Sequence, residues 1–158
     1  MATQPFTVAD YLLTRLKQLN VTEVFQIPGD YVKHFTQALE YFDGLMTSMG
    51  IGNQVTTFTA SDFGRTLTSN SNGTDHGWGS HHFVVGGAVQ GQNMYGQYPV
   101  IGVNQANDLG AGRLIPTTSV DQYAGTLAKW FGLSDGQIRT VLPNFGNFGS
   151  SPYLGFMG

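Results

Sequence analysis

Glycine is distributed so unevenly along this chain that it limits what each part can fold into. Only Gly29 lies within residues 1–43, whereas residues 44–158 contain the other 21 of the 22 glycines. Glycine weakens the interiors of helices and strands and favours turns and close backbone contacts. The distribution therefore predicts either two sequence sources or a compact helical lead-in that is followed by a loop-rich body.

The composition is that of a folded chain with an unusually uncharged surface. Hydrophobic residues make up 41% of the 158 residues, which is enough for a core. Charged residues make up only 11%, against roughly 25% in an average protein. The formal net charge is -3, and the seven Lys and Arg residues are scattered, so we expect no nucleic-acid partner.

Several classes of protein are excluded by what the sequence lacks. No apolar run approaches the roughly 20 residues that span a bilayer, so no membrane span is expected. The absence of cysteine excludes disulfides, thiolate zinc sites and thiol nucleophiles. The first residues carry no basic cluster followed by an apolar stretch. We therefore predict no signal peptide and, for the sequence as given, a cytoplasmic location.

The lead-in has the pattern of a helix, a strand and a second helix. Apolar residues at helical spacing predict helices over 8–19 and 31–42, and a short apolar run predicts a strand over 23–27. Thr7 is a good N-cap for the first helix. Such a unit leaves a sheet edge that needs a partner.

Part of the lead-in resembles a known enzyme family. The motifs are Phe6-Thr-Val-Ala-Asp-Tyr-Leu-Leu-Thr-Arg-Leu and Val24-Phe-Gln-Ile-Pro-Gly-Asp-Tyr. They resemble the start of thiamine-diphosphate-dependent pyruvate and indolepyruvate decarboxylases. The resemblance implies the beginning of a pyrimidine-binding domain, whose activating glutamate comes one strand later. No glutamate follows Glu40 here, so thiamine chemistry is the least favoured interpretation and a structural role for this segment is preferred.

The body predicts further strands and two capped helices. Runs at 55–60 and 82–89 predict strands, and Gly86-Gly87 predicts a bulge or a close backbone contact. Ser119 with Gln122 forms a capping box before a helix over 119–131. Ser134 predicts the cap of another short helix that reaches Val141. The expected fold is α/β, with a mixed sheet over 23–27, 55–60 and 82–89 flanked by helices.

The residues that could carry chemistry lie close together in the sequence. Carboxylate and imidazole groups are ligands that zinc and manganese accept, and the end of a strand is a common place for such a site. Arg65 could bind an oxyanion such as phosphate or sulfate. The alternative is structural, with the aspartates bonded to turns and the histidines alternating across a strand. The candidate metal ligands are Asp62, Asp75, His76, His81 and His82.

A second resemblance covers about two thirds of the chain. It is carried by Thr57-Phe-Thr-Ala-Ser-Asp-Phe-Gly-Arg-Thr, by Gly73-Thr-Asp-His-Gly-Trp-Gly-Ser-His-His-Phe-Val-Val-Gly-Gly and by Ile115-Pro-Thr-Thr-Ser-Val-Asp-Gln-Tyr. From about residue 53, the chain resembles the C-terminal region of the bacterial domain-of-unknown-function 1501 family, whose members are usually exported and resemble sulfatases and alkaline phosphatases.

This resemblance implies a partial alkaline-phosphatase-like core and particular site residues. It implies metal ligation by Asp62 and His76, with Asp75 as a weaker candidate. Phe63 stands where catalytic relatives often have histidine. The nucleophile and the first metal carboxylate belong to the N-terminal half of that superfamily, where this chain has the decarboxylase-like segment. The implied domains are a leader at 1–43, a junction at 44–52 and a hydrolase-like segment at 53–158, which could share one core.

Two functions of different classes follow. The first is an incomplete hydrolase-like domain that retains divalent-metal binding; if active, it would hydrolyse phosphate or sulfate esters with a metal. The second is a non-enzymatic assembly protein that self-associates or binds a partner chain, because low charge, 13% aromatic residues and open strand edges predict exposed apolar surface. A fragment of a thiamine-diphosphate decarboxylase is the third alternative.

Overall fold

The computed structural model describes residues 30–150 and 152–158, and only the backbone of residues 30–33. These residues form two compact units. The first unit contains the described residues up to Thr59 together with Phe83–Val89, and the second contains Ala60–His82 and Gln90–Gly158. The predicted helix over 8–19 and strand over 23–27 lie outside the described residues. No helix in the described part is long and apolar enough to cross a membrane.

The first unit consists of one helix and a two-stranded antiparallel sheet. Helix α1 spans Asp30–Ser48, and a short 3₁₀ helix follows at Gly52–Gln54. Strand β1, Thr56–Phe58, pairs with β4, Val84–Gly86, with Thr57 opposite Val85. The predicted runs at 55–60 and 82–89 are thus confirmed as strands that pair with each other.

The core of the first unit lies on one face of α1. Ala38 and Tyr41 are buried, and Phe42 and Leu45 pack against them. The helix was predicted to end at 42, but it continues to Ser48. Leu45 extends the apolar face by one turn beyond Tyr41, which outweighs the helix-weakening effect of Gly44. The residues of the predicted junction at 44–52 therefore include the last turns of α1.

The second unit begins with a hairpin that the sequence did not predict. Strand β2, Gly64–Ser69, and strand β3, Thr74–Gly77, run antiparallel, and the polar segment predicted between them as a loop forms the turn. The pairing is irregular between Arg65 and Ser69. There the buried hydroxyl of Thr66 accepts a hydrogen bond from the backbone N–H of Asp75 at 3.1 Å, which compensates for the missing backbone partner.

Two helices complete the second unit as the capping signals predicted. Helix α2 spans Val120–Trp130, and Ser119 with Gln122 forms the capping box. Helix α3 spans Asp135–Val141 and has a second capping box, formed by Ser134 and Gln137. A 3₁₀ helix at Pro143–Phe148 follows. Helices and antiparallel strands are therefore both present, which confirms the predicted mixed α/β class.

The C-terminal residues pack closely against α2. Phe145 and Ile138 are almost fully buried. The hydroxyl of Thr126 accepts a hydrogen bond from the backbone N–H of Leu154 at 2.8 Å and donates one to the carbonyl of Gln122 at 2.7 Å. The tail after α3 is thereby tied to the middle of α2.

Gly125 allows this packing because the ring of Phe145 occupies the space beside it. A Cβ atom at Gly125 would lie 2.2 Å from Cε2 of Phe145. We therefore expect Gly125→Ala to lower the free energy of unfolding by about 1–2 kcal/mol, because the overlap outweighs the gain in helix propensity. Urea unfolding followed by circular dichroism measures the change.

Gly136 in α3 provides the matched control. Nothing lies within 4 Å of a Cβ built at Gly136. Gly136→Ala should therefore raise the stability by up to about 1 kcal/mol through helix propensity alone. Equal effects of the two substitutions would contradict the packing of Phe145 against Gly125.

Candidate functional site

One face of the hairpin brings together three side chains of different chemistry. Arg65 on β2 stands directly opposite His76 on β3, so the two side chains project to the same face. Phe63 lies two residues before Arg65, and its ring stacks on the imidazole of His76 with a centroid distance of 3.6 Å and an interplanar angle of 12°. These three residues, Phe63, Arg65 and His76, are called the hairpin cluster below.

Arg65 is held in the hairpin cluster by two contacts. Its Nη1 donates a hydrogen bond to the carbonyl of Thr74 at 2.6 Å, and its Cζ lies 5.1 Å from the centroid of the Phe63 ring. Within the described residues, no carboxylate forms an ion pair with this guanidinium. Arg65 is exposed and always charged. Its remaining N–H groups are therefore suited to an anion that arrives from solvent.

The two aspartates predicted as metal ligands lie in different surroundings. Asp62 is exposed and directly precedes Phe63. Asp75 neighbours His76 on β3, and successive side chains of a strand point to opposite faces. Its Oδ1 accepts a hydrogen bond from Nδ2 of Asn70 at 2.6 Å. Asp75 and His76 therefore do not face a common centre from this strand, and Asp75 supports the turn of the hairpin.

The two later histidines each lie against a different tyrosine. The ring of His81 is 5.5 Å from that of Tyr98, and the ring of His82 is 5.3 Å from that of Tyr123. In the part of the chain that the structure describes, no three His, Asp or Glu side chains are grouped so that they could hold a metal ion. Of the five predicted ligands, His76 is the one that belongs to the hairpin cluster.

The loop at residues 104–114, called the Asp108 loop below, supports the hairpin and was not predicted from the sequence. The carboxylate of Asp108 accepts hydrogen bonds from the backbone N–H groups of Asn104, at 2.7 Å, and Gly110, at 2.8 Å. Backbone N–H groups, foremost that of Asn104, hold the pKa of Asp108 below its ordinary value against the opposing effect of desolvation. An aspartate followed by a glycine-rich run is a known turn signal, so the sequence did contain this information.

The Asp108 loop covers the free edge of the hairpin. The backbone N–H of Leu67 donates to the carbonyl of Gly112, and both the N–H and the hydroxyl of Thr68 donate to the carbonyl of Ala111. The N–H of Gly79 donates to the carbonyl of Leu114 at 3.0 Å. A covered edge cannot pair with another chain, and its strand keeps its position. The loop therefore fixes the strand that carries Arg65.

Comparison with known proteins identifies the family. A family model described as "Protein of unknown function (DUF1501)" matches residues 24–143. The chain belongs to this family. The match begins well before residue 53, where the sequence analysis placed the start of the resemblance, and so includes residues that had been assigned to the decarboxylase-like leader.

The curated relatives match only a short stretch. An alpha-keto-acid decarboxylase of Mycobacterium avium is 57% identical over 35 residues, which are 22% of this chain and 6% of the decarboxylase. A decarboxylase of the same name from Mycolicibacterium paratuberculosis matches equally well. The chain thus covers a small fraction of the curated proteins that it matches. No solved structure matches the chain.

The role of Asp108 can be tested through the pH dependence of stability. Because its pKa is lower in the folded protein, its carboxylate stabilises the fold at neutral pH, and this contribution is lost as the pH falls below about 4. Asp108→Asn should therefore lower the urea midpoint at neutral pH. The difference from the wild type should shrink at acidic pH.

Asp62→Asn serves as the control for this measurement. Asp62 is exposed, and no described residue donates a hydrogen bond to it. This variant should follow the wild-type curve at both pH values. A difference between the wild type and Asp108→Asn that stays constant as the pH falls would show that the charge of Asp108 does not stabilise the loop.

Proposed function

We propose that this chain is a hydrolase-like domain of the alkaline phosphatase and sulfatase type, and that its hairpin cluster recognises an oxyanion such as sulfate, phosphate or one of their esters. The observation that carries the proposal is the exposed guanidinium of Arg65 opposite His76 and beside the ring of Phe63. A partial alkaline-phosphatase-like core is part of the same proposal. No nucleophile is identified in the sequence, so binding is proposed and turnover is not.

The chemistry of Arg65 supports this choice of ligand. A guanidinium is planar and presents pairs of N–H groups that match two oxygens of a sulfate or phosphate. The bond to the carbonyl of Thr74 uses Nη1 and restricts the side chain before any ligand arrives. Such restriction lowers the entropy cost of binding. His76 on the facing strand can donate a further hydrogen bond from its ring.

Divalent-metal binding is a narrower proposal that rests on Asp62 and His76. Stacking on Phe63 covers a face of the imidazole, whereas its nitrogens lie at the edge of the ring. Asp75 is bonded to Asn70, and His81 and His82 lie against two different tyrosines, so these three residues are not included in the proposed site. A zinc or manganese ion here would thus take two ligands from this chain. When bound, it would polarise an ester oxygen.

Self-association is the second candidate function, and the surface of the second unit favours it. Phe131 is 79% exposed, Val120 70% and Met94 67%. Large exposed apolar side chains are frequent at protein–protein contacts. Oligomer formation or a partner chain would cover them. The cytoplasmic location stays a prediction. A fragment of a thiamine-diphosphate decarboxylase stays the least favoured alternative, and the short decarboxylase match is its support.

Oxyanion recognition predicts a specific loss of affinity. Arg65→Ala should weaken the binding of sulfate and phosphate about tenfold or more, because hydrogen bonds to charged groups contribute about 1.5–3 kcal/mol. Isothermal titration calorimetry at low ionic strength measures the affinities. Arg139→Ala is the matched control, since it removes the same charge from an exposed position on α3. Equal losses of affinity in both variants would show that the effect comes from the change in net charge alone.

Metal binding is tested by zinc and manganese titrations of the wild type, His76→Ala and His34→Ala. His34 is an exposed histidine on α1 in the other unit, so its removal controls for the loss of any surface imidazole. We expect His76→Ala to lose binding and His34→Ala to keep it. Wild-type affinity should fall on acidification, because a ligating imidazole must be neutral. Equal binding in all three proteins would leave His76 without a metal role.

A further inference from the structure

The turn of the hairpin combines two groups that can react with each other. Asn72 and Gly73 are both exposed and lie between β2 and β3. Within the described residues, neither the side-chain amide of Asn72 nor the backbone N–H of Gly73 has a hydrogen-bond partner. We propose that Asn72 is a site of spontaneous deamidation, which proceeds in the folded protein through attack by the backbone nitrogen of Gly73.

The reaction requires only water as co-reactant. The nitrogen of Gly73 loses its proton and forms a bond to Cγ of Asn72, the bond from Cγ to Nδ2 breaks, and ammonia leaves. Water then opens the resulting five-membered imide at either carbonyl. The product is aspartate, or isoaspartate in which the main chain runs through Cγ. One amide and one water thus give one carboxylic acid and one ammonia, and no oxidation occurs.

The structure favours Asn72 over its close neighbour Asn70. Asn70 is also exposed, and it precedes the small residue Ser71. Its Nδ2 donates to Asp75 at 2.6 Å, and its Oδ1 accepts from the N–H of Asn72 at 3.2 Å. Both polar atoms of this amide are hydrogen-bonded, so its Cγ cannot rotate freely toward the backbone nitrogen of Ser71. Gly73 has no side chain to hinder attack, and its φ of 133° places it in a region that favours glycine.

The modification would change the support of the hairpin. The side chain of Asn70 links the backbone of Asn72 to the carboxylate of Asp75. Isoaspartate lengthens the main chain at residue 72 and so displaces the backbone N–H that donates to Oδ1 of Asn70. Either product adds a negative charge to the turn close to Asp75 on β3, and like charges at short range repel. The deamidated protein should therefore have a looser hairpin turn.

The test is incubation of the whole folded chain in mildly alkaline buffer, followed by peptide mapping with mass spectrometry and enzymatic detection of isoaspartate. We expect Asn72 to convert first, while Asn70 and Asn93 keep their amides. A parallel incubation in concentrated urea supplies the unfolded reference. There Asn70 should lose its protection. The deamidation rate of Asn72 in urea should be comparable to its rate in the folded protein.

Gly73→Ala is the variant that tests the role of glycine. In urea, where its folding does not matter, conversion of Asn72 should fall to the level of Asn93, which also precedes a residue with a side chain. The proposal is overturned if folded wild-type protein protects Asn72 as well as Asn70. It is also overturned if Gly73→Ala leaves the rate unchanged.

Discussion

The carboxylate of Asp108 is the group on which the second unit's exposed hairpin depends. It accepts backbone N–H groups from Asn104 and Gly110 and so closes the loop around itself. Backbone N–H groups of β2 and of Gly79 donate hydrogen bonds to carbonyls of this loop. A hairpin of two short strands is marginal by itself in water. The loop bonds to the edge of β2 where a third strand would lie, and the Asp108 carboxylate maintains the conformation of the loop.

The hairpin in turn determines which side chains can act together. Antiparallel pairing puts Arg65 opposite His76, and the alternation of side chains along β3 sends Asp75 to the other face. The hairpin therefore groups a guanidinium, an imidazole and an aromatic ring. Membership of a family of unknown function does not specify a ligand. The proposed ligand therefore follows from the chemistry of Arg65 and its surroundings.

Local signals in the sequence were sufficient for the two helices of the second unit and insufficient for the site. Ser119 and Ser134 predicted two helix starts because a capping box involves residues only three apart. Two apolar runs predicted β1 and β4 as strands, but not that they pair with each other. Strand β2 was missed because its short polar run has no clear alternation. The partners of His81 and His82 were missed because Tyr98 and Tyr123 are distant in the sequence.

We propose that the hairpin cluster, held in position by the Asp108 loop, is where this chain binds an oxyanion. A nuclear magnetic resonance titration of the isotope-labelled chain with sulfate tests it most directly. If sulfate binds there, the shifts should be saturable and confined to Phe63, Arg65, His76 and their neighbours on β2 and β3. Shifts of similar size at Arg113 and Arg139, without saturation at the hairpin, would contradict it.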